Sequence, residues 1–172
     1  MITREFNKSA TAYRDMVHTF AAYWLRDHSD ADDITQEVLI RLWKHWGTVR
    51  HGNVGAWLAR VTRNACVDLF RRRRVRPCAD SAEGYEETVM DPSPSPEEAL
   101  RREDLAEAVT AALGALPEPY RSVVILREIQ GFSYAEIAEA LDLSMDAVKV
   151  HLHRGRRRLR ERLVQEGVAE HV

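Results

Sequence analysis

The sequence predicts an all-α protein built as two small helical domains on a flexible acidic linker. Three observations predict it. Apolar residues recur at spacings of three and four, as in Phe6, Ala10, Tyr13, Val17, Phe20 and Trp24, and nowhere alternate with the period of two of a half-buried strand. Residues 77–96, PCADSAEGYEETVMDPSPSP, break that pattern with an acidic, Pro/Ser-rich run. The charge also divides unevenly. Residues 1–78 hold 14 Lys/Arg against 8 Asp/Glu, residues 79–98 hold 7 acids and no base, and residues 99–172 hold 11 bases against 12 acids. The bases of 99–172 gather at its end, so a net charge of −2 hides two basic regions separated by an acidic strip. The expected boundaries are 1–76, 77–96 and 97–172.

The N-terminal part reads as a three-to-four-helix bundle. The stripe from Phe6 to Trp24 makes residues 3–27 one amphipathic helix with a core-facing side. A second helix is expected from about Ser29 and Asp30, with Asp30, Asp32 and Asp33 in its first turn, where carboxylates offset the helix dipole. Ile34, Val38, Leu42 and Trp46 form its buried stripe, helped by Leu39 and Trp43. Asp33, Gln36, Glu37, Ile40, Arg41 and Lys44 face outward. The run GTVRHGNVG (47–55) is a loop carrying Arg50, His51 and Asn53, with Asn53 placed to cap a third helix. That helix runs from Val54 to about Arg73, with Trp57, Leu58, Val61, Ala65 and Leu69 inside. It also carries Arg60, Arg63 and Asn64 and ends in Arg71–Arg74. Four cations exceed what a helix C-terminus calls for; with Trp46 and Trp57 they read as a phosphate-binding run beside a stacking surface.

The C-terminal part reads as four helices. Ser95-Pro96-Glu97-Glu98 opens the first, and Leu100, Leu105, Val109, Ala112, Leu113 and Leu116 carry it to Pro117. Pro119 opens the next, with Tyr120, Val123, Val124 and Ile129 inward and Gly131 at its end. Ser133 and Glu136 form a capping box ahead of Ile137, Ala138 and Leu141, then Asp142-Leu143-Ser144 turn the chain, and Ser144 caps the last helix. There Val148, Leu152, Leu159 and Leu163 share one face with Gly155, while Val150, His153, Arg154 and Arg157 lie opposite with Lys149 at the edge. From Lys149 to Arg162 there are 7 bases and 1 acid. A short helix, a tight turn and a helix buried on one side and cationic on the other meet the needs of major-groove reading.

Composition excludes other classes. No apolar run reaches the ~18 residues of a membrane span, and MITREFNK lacks the apolar core of a signal peptide, so a cytoplasmic protein without membrane insertion is expected. Cys66 and Cys78 have no His pair at zinc-ligand spacing, so neither a metal nor another cofactor is expected. There is no Gly-rich phosphate loop, and Asp30, Asp32 and Asp33 point to different sides of a helix rather than at one metal, so no enzyme is expected.

Four stretches together resemble one family: DADDITQEVLIRLWKHW (30–46), AWLARVTRNACVDLFRRRR (56–74), ALPEPYRSVVILREIQGFSYAEIAEAL (115–141) and AVKVHLHRGRRRLRERL (147–163). In order and spacing they are similar to regions two and four of the sigma-70 family, in the extracytoplasmic-function (ECF) group of bacterial RNA polymerase initiation subunits. The resemblance implies a factor that binds core polymerase and directs promoter-specific initiation. It places Asp33, Gln36 and Glu37, flanked by Arg41 and Lys44, on the polymerase's clamp helices. It assigns the 47–55 loop and third helix to the melted nontemplate strand of the minus-ten box: Arg50, His51, Asn53 and Trp57 around the pocket, Asn64 lining it, and Arg60, Arg63, Arg71 and Arg72 on the backbone. It aligns Lys149, Val150, His153 and Arg154 with the duplex readers of the minus-thirty-five box, with Arg157 and Arg158 on phosphate. Asp146 departs from the pattern, because an acid there repels a passing phosphate. An anti-sigma factor is a further implied partner. The acidic linker is read as a spacer that imitates nucleic acid in the RNA exit path. The alternative is a stand-alone helix-turn-helix regulator, which accounts for 131–163 but leaves the outward face of 30–46 without a role.

Overall fold

A computed structural model describes residues 2–49, 53–75 and 96–167. Arg50 and His51 of the loop and nearly all of the acidic linker lie outside these residues, and so does Ser95. Among the described residues the chain is all helical and forms two bundles.

The first bundle contains α1 (Ile2–Leu25), α2 (His28–His45) and α3 (Val54–Val75). The expected stripe of α1 faces inward, with Val17, Phe20 and Trp24 buried. Helix α2 begins earlier than Ser29, because the Asp27 carboxylate accepts from the Asp30 N–H at 2.9 Å and takes the cap position. Ile34, Val38, Leu42 and Trp46 are buried as expected. Trp43 is 50% exposed instead of helping that stripe, and its indole stands edge-on to Phe6 at 4.8 Å.

The second bundle contains α4 (Pro96–Gly114), α5 (Tyr120–Val124), α6 (Tyr134–Leu141) and α7 (Met145–Gln165). Helix α5 continues as a π-helical turn, Ile125–Ile129, in which the Gln130 N–H reaches back five residues to the Ile125 carbonyl at 3.1 Å. That wider turn resets the helical register and leaves Ile129 exposed rather than inward. In α4 only the C-terminal half is seated: Ala112 and Leu113 are buried, while Leu100 is 60% and Leu105 47% exposed, against their expected inward placement.

The helix-turn-helix signals are met residue by residue. Ser133 and Glu136 exchange both bonds of the capping box, and these hold the Glu136 carboxyl below its ordinary range. Asp142 turns the chain in the left-handed region (φ 55), and Ser144 Oγ accepts from the Ala147 N–H at 3.1 Å. Gly155 is where α7 crosses α5. A Cβ there would meet Val124 Cγ2 at 2.6 Å and the Tyr120 carbonyl at 3.5 Å. Val124 is β-branched and buried, so it cannot swing aside. Gly155→Ala is expected to cost about 1–3 kcal/mol through overpacking, despite alanine's better helix propensity. Urea unfolding of the two chains checks it.

The bundles do not stand apart. Helix α6 packs on α3, the π-turn and α4 reach α1, and one continuous apolar core runs through both.

Candidate nucleic-acid interface

Two cationic surfaces emerge from this packing. On α7, Lys149, Val150, His153, Arg154 and Arg157 are all exposed, because Val148, Leu152 and Gly155 turn the opposite face into the core. Neighbouring acids touch this row lightly: Asp146 lies 3.6 Å from Lys149, and Glu161 lies 3.5 Å from Arg157. Exposed pairs of this kind are worth at most about 1 kcal/mol and yield to a phosphate. Asp146 therefore stands beside this exposed row. Arg158 points elsewhere. Its guanidinium lies 5.1 Å over the Tyr120 ring, on the α5 side.

The second surface follows α3. Thr48, Val49, Asn53, Ala56, Trp57 and Arg60 line a pocket of about 180 Å³, closed on one side by Glu139 of α6. Trp57 is half-buried at this pocket, whereas Trp46 is a core residue and offers no ring for stacking. Asn53 Nδ2 donates to both Glu139 carboxylate oxygens, at 2.6 and 2.8 Å. Arg60 donates to the Ala140 carbonyl at 3.2 Å and to the Glu139 carbonyl. Further along, Arg63 donates to Glu118 at 3.1 Å and to Asn64 Oδ1 at 3.2 Å. At the end of α3, Arg71 to Arg74 are exposed; Arg73 is paired with Asp30, whose carboxyl is nevertheless pushed up by burial and by Asp27. Asn53, Trp57 and Arg60 thus meet in one place. Arg71 and Arg72 lie at the far end of the same helix.

The outward row on α2 also holds together. Asp33, Gln36, Ile40, Arg41 and Lys44 are exposed, with Glu37 half-buried and bonded to Arg41 one turn on. This row lies on the side of α2 away from Ile34, Val38 and Leu42.

Sequence reasoning missed a junction between the bundles. Glu118 accepts from Trp24 Nε1 at 3.1 Å, from Ser122 Oγ at 2.8 Å and from Arg63. Arg121 is buried 4.4 Å over the Trp24 ring and donates to the carbonyls of Leu116, Trp24 and Gly114. Burial pushes its pKa down, opposed by the Glu118 charge. The one available signal was a lone cation inside the apolar run YRSVVIL. Cys66 is buried with its thiol pKa pushed far up, which keeps it protonated and inert. Among the described residues no group of three His, Cys, Asp or Glu could hold a metal, and no helix is long and apolar enough to cross a membrane.

The described residues thus form two helical bundles, one with a helix-turn-helix and one with a basic third helix. The family models for Sigma-70 region 2 and Sigma-70 region 4 match residues 10–76 and 106–159. The ECF RNA polymerase sigma factor SigE of Mycolicibacterium smegmatis is 34% identical over 154 residues, covering 89% of this chain and 59% of that protein. SigW of Bacillus subtilis, another ECF sigma factor, is 30% identical over 159 residues, covering 88% of this chain and 84% of its own. Among solved structures, CnrH in complex with the cytosolic domain of CnrY matches with a TM-score of 0.68 at 26% identity, over 91% of this chain and 86% of that one. The chain belongs to the ECF group of sigma-70 family sigma factors. It spans less than two thirds of the length of SigE.

Proposed function

We propose that this protein is a promoter-specificity subunit of bacterial RNA polymerase: it binds the core enzyme, reads promoter duplex with α7 and captures the melted nontemplate strand on α3. The observation that carries the reading is the pair of cationic faces on one chain. One is built for a groove and the other for a pocket with stacking and hydrogen-bonding walls. Lys149, Val150, His153 and Arg154 read the upstream element, with Arg154 or Lys149 on guanine edges and Val150 against a thymine methyl. Arg157 holds phosphate, and Arg158 joins it only by leaving Tyr120. Asn53, Trp57 and Arg60 form the strand pocket, Arg63 and Asn64 continue the contact along α3, and Arg50 and His51, outside the described residues, are proposed as further strand contacts. Arg71 and Arg72 hold the strand's backbone. Asp33, Gln36, Glu37, Arg41 and Lys44 dock on the polymerase.

The domains divide at 1–76 and 97–172, and the acidic 77–96 segment spaces them. Catalysis stays with the polymerase, and the protein works in the cytoplasm. CnrH was solved with a bound cytosolic domain of CnrY. An anti-sigma partner suits this chain, whose two cationic faces both offer targets for an acidic inhibitor.

The test is transcription in vitro with bacterial core polymerase on a promoter library, with start sites sequenced. Start sites that share two spaced elements are expected, and none without the added chain. Arg154→Ala is expected to lower initiation about 5–100-fold at promoters with the upstream element, the worth of one bidentate base contact. Its affinity for core polymerase should stay at the wild-type value. A chain that binds promoter duplex tightly without polymerase would favour the stand-alone regulator instead.

A further inference from the structure

Asp146 opens the cationic face of α7 with an acid. Lys149, Val150, His153 and Arg157 follow it at three, four, seven and eleven residues, so all five share one side of the helix. A recognition helix meets base edges with its N-terminal residues, and Asp146 stands in the first turn of α7. The helix does not need this acid as a cap, because Ser144 Oγ already accepts from the Ala147 N–H. The Asp146 side chain is 93% exposed, and its carboxylate lies 3.6 Å from Lys149 Nζ. A carboxylate only accepts and an ammonium only donates, so the two present an acceptor and a donor side by side.

Toward phosphate such an acid is a penalty at every sequence. Toward base edges it is selective. In the major groove only cytosine N4 and adenine N6 are donors, and adenine sets its N7 acceptor beside that donor. Guanine shows two acceptors, and thymine an acceptor and a methyl group. A C·G pair therefore places an amino donor next to guanine O6, the complement of Asp146 beside Lys149.

We propose that Asp146 and Lys149 together read one C·G base pair of the upstream element: the Asp146 carboxylate accepts from cytosine N4, and Lys149 donates to O6 and N7 of the paired guanine. This rests on the duplex reading of α7 and adds to it a residue and a base. The departure of Asp146 from the family pattern then has a use. With the base pair reversed, the carboxylate faces O6 and N7 and is repelled, so the same group selects one orientation and rejects the other. The exposed pair with Lys149 is weak enough for the ammonium to reach the guanine.

The experiment uses the full chain with bacterial core polymerase on a promoter library whose upstream element is randomised, and the transcripts are sequenced. The wild-type chain is expected to favour C·G about 5–20-fold over the other pairs at one position of that element. Asp146→Ala should bring the preference there below about 2-fold and leave the other positions as they are. Asp146→Asn should move it toward A·T, because an amide pairs with adenine N6 and N7. Lys149→Ala should flatten the same position, since both groups read one pair. Asp146 is exposed, so its variants keep the fold, which circular dichroism checks. An unchanged base preference in Asp146→Ala would overturn the proposal, even with a uniform rise in initiation, which would leave the acid as a repellent of phosphate. Asp146→Ala and Lys149→Ala acting at different positions would overturn it too. If Arg154→Ala also left the whole upstream profile unchanged, the duplex reading of α7 would fall with it, so the two failures are told apart.

Discussion

Arg121→Ala is expected to lower the unfolding free energy of the free protein by about 3–5 kcal/mol, the cost of removing one member of a buried charged cluster. The guanidinium sits where two helices run out of partners. Its Nε donates to the Leu116 carbonyl at 2.9 Å, its Nη1 to the Trp24 carbonyl at 3.2 Å, and its Nη2 to the Gly114 carbonyl. Trp24 and Gly114 lie in the final turns of α1 and α4, whose last carbonyls have no donor within the helix. Removing the side chain strands all three acceptors, each worth roughly 1–3 kcal/mol when left unpaired, with water recovering part. It also takes away the cation over the Trp24 ring. Arg121→Lys should recover less than half of the loss, because an ammonium cannot fork to three carbonyls in fixed directions. Urea unfolding of the three chains reads this, and a loss below about 1 kcal/mol for Arg121→Ala would show that the cluster is not what ties α1 to α4.

The combined variant Asp33→Asn, Gln36→Ala, Glu37→Gln is expected to weaken assembly with core polymerase about 100-fold or more while leaving the fold intact. The two halves of that statement have different causes. Asp33 and Gln36 are exposed and Glu37 bonds to Arg41 on its own helix, so each substitution alone moves stability by about 0.5 kcal/mol or less. On the proposed docking surface the same groups would meet the partner from a rigid helix, and truncating groups at interface hot spots costs about 2 kcal/mol or more apiece. Titration of labelled protein with core polymerase measures the loss, and circular dichroism confirms the helices. A loss of less than threefold would move the docking surface away from α2.

Local signals were legible and long-range ones were not. The Ser133–Glu136 capping box, the Asp142–Ser144 turn and the two faces of α7 each depend on residues three or four apart, so spacing alone located them. The row on α2 was legible for the same reason. Leu100 and Leu105 misled because apolar spacing marks a face without saying whether anything packs on it, and α4 is seated only toward its C-terminal end. Ile129 misled because a π-turn shifts the register that a 3.6-residue count assumes. Trp46 and Trp57 were read alike, yet one is core and the other lines the pocket, a distinction set by tertiary packing. Glu118, Arg121 and Glu139 carry no local signal because their partners across the bundles lie some 55 to 97 residues away, across a stretch with no periodic pattern.

Glu118 answers three elements with one carboxylate: the indole of α1, the guanidinium of α3 and the hydroxyl of α5. A fastener shared in this way does not slacken strand by strand. Whichever neighbour departs first leaves the acid more exposed to water and less attractive to the others, so the joint should snap between shut and parted rather than drift through half-measures.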